Sequence, residues 1–158
     1  MFDEAQFRQV LGHFCTGITV ITAMEGDEPV GFTAQSFTSV SLDPPLVSVC
    51  PAKSSTTWPR VRAAGAFCVN ILGGEQEAVS RAFAIRDGDK FHGLGWAPSS
   101  ATGSPVLDGV LGWVDCTLEV EHEAGDHLIA VARVVDLGIS DEGRPLLFYR
   151  GGYGRFEA

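Results

Sequence analysis

The apolar positions near the amino terminus repeat with a helical period. Phe7, Val10, Leu11 and Phe14 stand at i, i+3, i+4 and i+7, so a helix through them gathers four apolar side chains on one face. Asp3, with Gln6 three residues on, is a capping-box pair suited to start that helix, and its apolar face is expected to pack onto the rest of the chain. From Thr16 the pattern changes. Ile18-Thr19-Val20-Ile21-Thr22 is β-branched throughout, and Gly26-Asp27-Glu28-Pro29 supplies a turn before Val30, which predicts a hairpin. Residues 32 to 42 alternate imperfectly between apolar and hydroxyl or amide side chains, as a strand does when one face meets something polar. Asp43-Pro44-Pro45 breaks that run, and Leu46 to Cys50 resumes as a strand buried on both faces. Ser54 to Ala64 reads as a short helix with Pro59 in its first turn and Gly65 at its end, followed by a strand from Ala66 to Leu72 and a second short helix from Gln76 to Ala84. Beyond a Gly/Ser/Pro-rich stretch from Gly93 to Pro105, long β-prone runs at 110–121 and 127–138 flank the turn Ala124-Gly125-Asp126, and a last short strand lies near Leu146 to Tyr149.

Strands joined mostly by short turns, with helices inserted rather than alternating, predict a mainly β (α+β) fold, an antiparallel barrel rather than a doubly wound sheet. The sequence shows no internal repeat, and 93–105 is too short for an interdomain linker, so residues 1–158 are expected to form one domain.

Composition narrows the function classes. Hydrophobic residues make up 45% and charged residues 20% of the 158, which excludes disorder as the main state. Eleven Lys plus Arg against twenty Asp plus Glu give a net charge of −9, which argues against nucleic-acid or anionic-membrane binding. Met1-Phe2-Asp3-Glu4 has no basic or apolar leader character and no run is long enough to span a bilayer, so the expected location is cytoplasmic. Cys15, Cys50, Cys68 and Cys116 stand far apart and are expected to be buried reduced thiols. His13, His92, His122 and His127 are scattered, so no metal site is expected.

Three constellations could carry chemistry. Thr33, Ser36, Thr38, Ser39 and Ser41 could offer neutral hydrogen-bond donors to a planar heteroatom-rich ligand, although an edge strand facing water explains the same pattern. Lys53-Ser54-Ser55-Thr56-Thr57 leads into the first short helix, where unpaired N–H groups and a lysine suit a phosphate; an ordinary Ser/Thr cap is the competing reading. Lys53 and Lys90 are the two lysines of an acidic chain, which favours the phosphate. Gly125-Asp126-His127 places a histidine after a turn, where it could bind a ligand amide or only cap a hairpin. Neither Gly93-Leu94-Gly95 nor Gly151-Gly152-Tyr153-Gly154 has the dinucleotide spacing, and no G-x-S-x-G occurs.

Beyond these spacings, the chain resembles the flavin reductase family that serves two-component flavin monooxygenases. The resemblance is carried by Phe7-Arg8, Gly12-His13-Phe14, Thr16 to Thr22, Gly31 to Phe37, Ser39 to Val47, Phe67 to Leu72, Phe83-Ala84, Gly103 to Leu107, Gly125-Asp126-His127, Pro145 to Tyr149 and Gly152-Tyr153, in order from end to end. It implies an FMN-binding split β-barrel, commonly a homodimer, that uses NADH or NADPH to reduce FMN or FAD for a partner monooxygenase. Carried over by position, Thr33, Ala34, Gln35 and Ser36 would line the isoalloxazine, with Ser39 and Cys50 among the cofactor-binding positions. Lys53, Ser54, Ser55 and Thr56 would meet the phosphates, Phe83 and Ala84 would border the flavin, and His127 would lie beside the nicotinamide as the catalytic residue. Residues 85–92 fall in a loop that varies widely in the family, so flavin preference is not read from it. The alternatives are a pyridoxamine-phosphate-oxidase-like flavoprotein, against which the acidic composition counts, and a non-catalytic flavin carrier or sensor.

Overall fold

Three residues, Gln35 to Phe37, dictate the shape of the molecule. They join strand β3 (Glu28–Ala34) to strand β4 (Thr38–Leu42), and these two strands lie at opposite edges of one seven-stranded antiparallel sheet. Laid flat, such a sheet would separate its edges by roughly 29 Å at ~4.8 Å per strand spacing. A three-residue link reaches no more than about 14 Å. The sheet therefore curls until β3 and β4 face each other across an unpaired seam, which is a split barrel.

The computed structural model describes residues 1–157. In chain order, helix α1 (Glu4–Leu11) precedes β1 (Thr16–Gly17), β2 (Thr19–Glu25), β3, β4 and β5 (Pro45–Val49). Helix α2 (Trp58–Ala64), β6 (Ala66–Ile71), helix α3 (Glu77–Phe83), β7 (Trp96–Pro98) and β8 (Pro105–Leu107) come next. The paired long strands β9 (Gly112–Ala124) and β10 (His127–Ile139) and the closing hairpin β11 (Leu146–Tyr149) and β12 (Gly152–Arg155) complete it. The large sheet runs β3-β2-β6-β9-β10-β5-β4.

Strand β2 shows why these residues form these layers. Its alternation sends Ile21 and Ala23 into the barrel interior with Trp58, Val61, Phe67 and Val69, while Val20, with Ile18 just before the strand, faces a second cluster with Leu72, Phe83, Leu107 and Leu146. Covered on both faces, β2 is buried from Thr19 through Ala23. Trp58 and Val61 carry α2 into the barrel cluster, each burial contributing about 1.5–3 kcal/mol. Asn70 of β6 holds the outer layer on: its amide donates to the Val20 carbonyl (3.2 Å) and its oxygen accepts from Leu107 N–H (2.9 Å).

Several expectations change. The strand expected over 32–42 is two strands parted by the barrel seam, because the link must cross from one edge to the other. The capping box forms, Asp3 accepting from Gln6 N–H at 2.8 Å and Gln6 from Asp3 N–H at 3.0 Å, but α1 ends at Leu11 and buries none of its residues. Phe7, Val10, Leu11 and Phe14 stay exposed instead of packing onto the sheet. The helix expected from Ser54 begins at Trp58, because the Ser55 hydroxyl holds the preceding residues in a turn. Strands β7 and β8 pair inside or at the end of the stretch expected to be loop, and β12 adds a strand beyond those the sequence pattern predicts. Only Cys68 and Cys116 are buried; Cys15 is exposed and Cys50 half-buried. Burial pushes the Cys68 thiol well up and Cys116 to about 12, so both stay protonated and inert.

Candidate functional site

The open edge of β3 is where backbone polar groups lack a strand partner. Lys90 Nζ donates to the Gly31 carbonyl there at 2.9 Å and lies 3.4 Å from the Phe83 carbonyl. Strand alternation then points the N–H of Thr33 toward the same edge. The Thr33 hydroxyl donates to the Ser80 carbonyl at 2.7 Å, fastening α3 alongside. Gly31 is required for this approach: a Cβ there would stand 3.0 Å from Phe83 Cε1 and 2.7 Å from the Ile21 carbonyl oxygen. Between β3, the 52–57 turn and the end of α3 lies a cavity of about 170 Å³, lined by Phe32, Thr33, Ser54, Ser55, Thr56, Phe83, Ala84, Arg86 and Lys90 among others.

The 52–57 turn is set by its own hydroxyls and by the hairpin tip beyond it. Ser55 Oγ accepts from Trp58 N–H at 3.0 Å and from Thr57 N–H at 3.3 Å, so the first donors of α2 are already used. Lys53 N–H donates to the Asp126 carbonyl at 2.9 Å and Leu128 N–H to the Pro51 carbonyl at 2.9 Å, which ties the β9–β10 hairpin to this turn. Thr56 Oγ1 donates to the Arg86 carbonyl at 3.3 Å and so joins the turn to the loop after α3. Burial lowers the pKa of the Lys90 ammonium, an effect that Asp87 partly offsets and an incoming anion would offset further.

Of the residues singled out in the sequence, the fold gathers Thr33, Ser54, Ser55, Thr56, Phe83 and Ala84 around this one cavity. Gln35 and Ser36 line a different groove of about 860 Å³ with Phe14, Cys15, Thr16 and Phe148. Gln35 Oε1 accepts from Thr16 Oγ1 at 3.2 Å, and Ser36 Oγ accepts from Cys50 N–H at 2.9 Å, continuing the β4–β5 pairing. Ala34 turns its side chain into the barrel core, and Ser39 is exposed on β4. Lys53 directs its ammonium to Glu123 at 3.5 Å and is not part of the cavity lining. His127 stands exposed beside the turn, its Nδ1 2.7 Å from Asp126 Oδ1, and this bond holds the Asp126 carboxyl below the usual carboxylate range. Arg86 is a cavity residue that the sequence pattern does not single out, and Lys90 enters there only as one of two lysines. The available signal is the scarcity of lysine in an acidic chain, whereas nothing local in 85–92 shows that the loop folds back over β3.

Neutral hydroxyls, one edge amide, two cations and a wall of Phe32, Phe83 and Ala84 form a donor set suited to a phosphorylated polyol attached to a flat apolar ring. A flavin nucleotide has that chemistry, and the residues present fit it: the cations would suit the anionic end and the hydroxyls the ribityl chain.

The family model described as flavin reductase like domain matches residues 11–157. The chain is 50% identical over 151 residues to the flavin-dependent monooxygenase reductase subunit HsaB of Rhodococcus jostii, covering 96% of this chain and 77% of that protein. The crystal structure of a nitrilotriacetate monooxygenase component B homologue from Mycobacterium thermoresistibile superposes with a TM-score of 0.95 at 50% identity, covering 98% of this chain and 87% of the other. An NADH:FAD oxidoreductase from Streptomyces globisporus, SgcE6, solved in complex with NAD and FAD fragments, superposes with a TM-score of 0.92 at 37% identity, covering 98% of this chain and 93% of the other.

Proposed function

The chain belongs to the flavin reductase like family, and from that premise we propose that it is an NAD(P)H-dependent flavin reductase whose flavin lies along the open edge of β3. It is an oxidoreductase that reduces FMN or FAD with NADH or NADPH and supplies a two-component monooxygenase. The observation that carries the placement is the convergence of Thr33, Ser54, Ser55, Thr56, Phe83 and Ala84, from segments far apart in sequence, on one cavity rimmed by Arg86 and Lys90.

When bound, the flavin supplies the two-electron acceptor for a hydride from reduced nicotinamide. The chain's own groups have the tasks of binding, orienting and excluding. Lys90 and Arg86 would hold the phosphate end, Ser54 and Thr56 would meet the ribityl chain, and Ala84, backed by the buried Phe83, would border the ring. The Thr33 N–H at the open edge, a fixed dipole, favours the electron-rich reduced ring without reorganising. Gln35 and Ser36 continue that edge toward the larger groove. His127, held by Asp126 at the hairpin tip, orients the nicotinamide. No side-chain acid or base is needed for the hydride step.

The same reading takes the chain as one cytoplasmic domain acting as a homodimer. The support for the second copy is the apolar face of α1 and its continuation, with Phe7 51%, Val10 67% and Phe14 78% exposed beside the large groove. The deciding experiment is an NADH and NADPH oxidation assay crossed with FMN, FAD and riboflavin, with an anaerobic spectrum near 450 nm. Bleaching of added flavin by NAD(P)H is the expected result. Flavin that binds and does not bleach would make the protein a carrier, and flavin that neither binds nor bleaches would end the proposal.

A further inference from the structure

The cavity assigned to the flavin phosphate opens into a second one. This cleft, about 270 Å³, lies between the β2–β3 turn, α2 and the 86–91 loop. The two share Thr56, Thr57, Arg86 and Lys90, so the two cations stand where one cavity passes into the other. Taken alone, each falls below the ~300–1,000 Å³ of small-molecule sites, and taken together they fall within it.

The chemistry changes along the passage. At the junction, Lys90 and Arg86 present positive charge, and among the described residues Arg86 is in no ion pair. Elsewhere on the lining the charge is cancelled: Arg60 is bound by Glu25 at 2.7 and 2.9 Å and by Glu28 at 3.1 Å. An arginine so paired is a poor phosphate ligand. Its guanidinium is held by the edges, however, and its flat faces remain for a planar base. Glu28, Asp87 and Asp89 on the same lining offer acceptors, which suit hydroxyl and amino donors and repel further phosphate. The lining thus combines two cations shared with the first cavity, a guanidinium held in place, and three carboxylates.

We infer that this cleft takes the adenylate half of FAD, with the diphosphate at Arg86 and Lys90, the adenine on Arg60 and the ribose hydroxyls toward the carboxylates, so that the protein prefers FAD to FMN. The inference rests on the flavin placement proposed above and makes Arg60 the specificity-determining residue. FMN would end at the junction and leave the cleft unused.

Isothermal titration calorimetry of the full chain with riboflavin, FMN and FAD tests it without reference to turnover. FAD is expected to bind more tightly than FMN by about tenfold, the worth of one stacked base. Arg60→Ala is expected to abolish that preference and leave the FMN affinity unchanged. Arg60→Lys, which keeps a cation for Glu25 and Glu28 and loses the plane, is expected to do the same and covers the case in which the alanine variant does not fold. FMN binding as tightly as FAD to the wild type would overturn the inference, and so would a preference that survives in Arg60→Lys. If none of the three flavins binds, the flavin placement itself is wrong, which is a different failure from equal binding of FMN and FAD.

Discussion

Two short segments of this chain have nearly the same composition and opposite fates. Residues 99–104 read Ser-Ser-Ala-Thr-Gly-Ser, and residues 54–57 read Ser-Ser-Thr-Thr. In the first, Thr102 donates its hydroxyl to Asp115 Oδ1 at 2.6 Å and its N–H to Oδ2 at 3.1 Å, and Ser104 and Ser99 bond Thr102 at 2.7 and 3.2 Å. Asp115 is fully buried on β9, so these hydroxyls are consumed by the fold. In the second, Ser55 secures the turn while Ser54 and Thr56 face a cavity. What separates a structural hydroxyl cluster from a binding one is a carboxylate on a neighbouring strand, 13 residues on from Thr102 and invisible in the segment itself.

The largest effect expected from breaking this contrast is at Asp115. Asp115→Ala removes the acceptor for two donors of the half-buried Thr102, each costing about 1–3 kcal/mol when orphaned, so a loss of about 3 kcal/mol is expected. The urea midpoint should fall by that measure, with FMN affinity unchanged in the folded protein. An unchanged midpoint would show that the 99–104 cluster is as free as the 54–57 turn.

This contrast also marks where the sequence is legible. The β-branched run at 18–22, the breaker at 43–45 and the turn at 124–126 are local signals, and they place β2, β5 and the β9–β10 hairpin. The seam is not legible, because residues 32–42 read as one strand until the sheet order puts their two halves at opposite edges. At the site, Thr33, Ser54, Ser55, Thr56, Phe83 and Ala84 meet in one cavity, whereas Lys53, singled out for its charge, turns to Glu123. Lys90 takes the position beside the turn because the loop after α3 folds back over Gly31, a long-range placement with no periodicity to announce it.

Lys90 sharpens the binding side of the comparison. Lys90→Met removes the half-buried cation and keeps the stem, so FMN affinity is expected to drop about tenfold, the lower end of a charge-assisted hydrogen bond at ~1.5–3 kcal/mol. Riboflavin, which has no phosphate, should bind both proteins alike. An equal loss for both ligands in titration calorimetry would mean that Lys90 only supports the loop through Gly31 and Phe83.

Within the 54–57 turn the two roles sit on adjacent residues. Ser55→Ala deletes the acceptor of Thr57 and Trp58 N–H and should cost about 1 kcal/mol of stability. Ser54→Ala should leave the thermal midpoint within experimental scatter and weaken flavin binding instead. Interchanged outcomes in paired melting and titration experiments would reverse the assignment of the two hydroxyls.

The foundation of the binding turn carries a titratable group of its own. Helix α2, which carries the turn, is fastened to β9 by Glu121, which accepts from Arg62 at 2.6 and 2.8 Å and from Trp58 Nε1 at 3.2 Å. These bonds, that from Arg62 foremost, hold the Glu121 carboxyl below its ordinary value of 4.5. A carboxylate with a depressed folded pKa contributes stability that is fully present above the unfolded value and is lost as pH falls through the folded one. With Arg62 46% exposed, solvent screening limits the contribution to about 0.5–1 kcal/mol. Glu121→Gln should therefore be less stable than wild type at pH 7 by that amount. The difference should shrink from about pH 4.5 downward, as the wild type protonates the group that the variant lacks. A gap in urea midpoint that stays constant from pH 7 to pH 3 would mean that the Trp58 and packing contacts, rather than the charge on Glu121, hold the turn to the barrel.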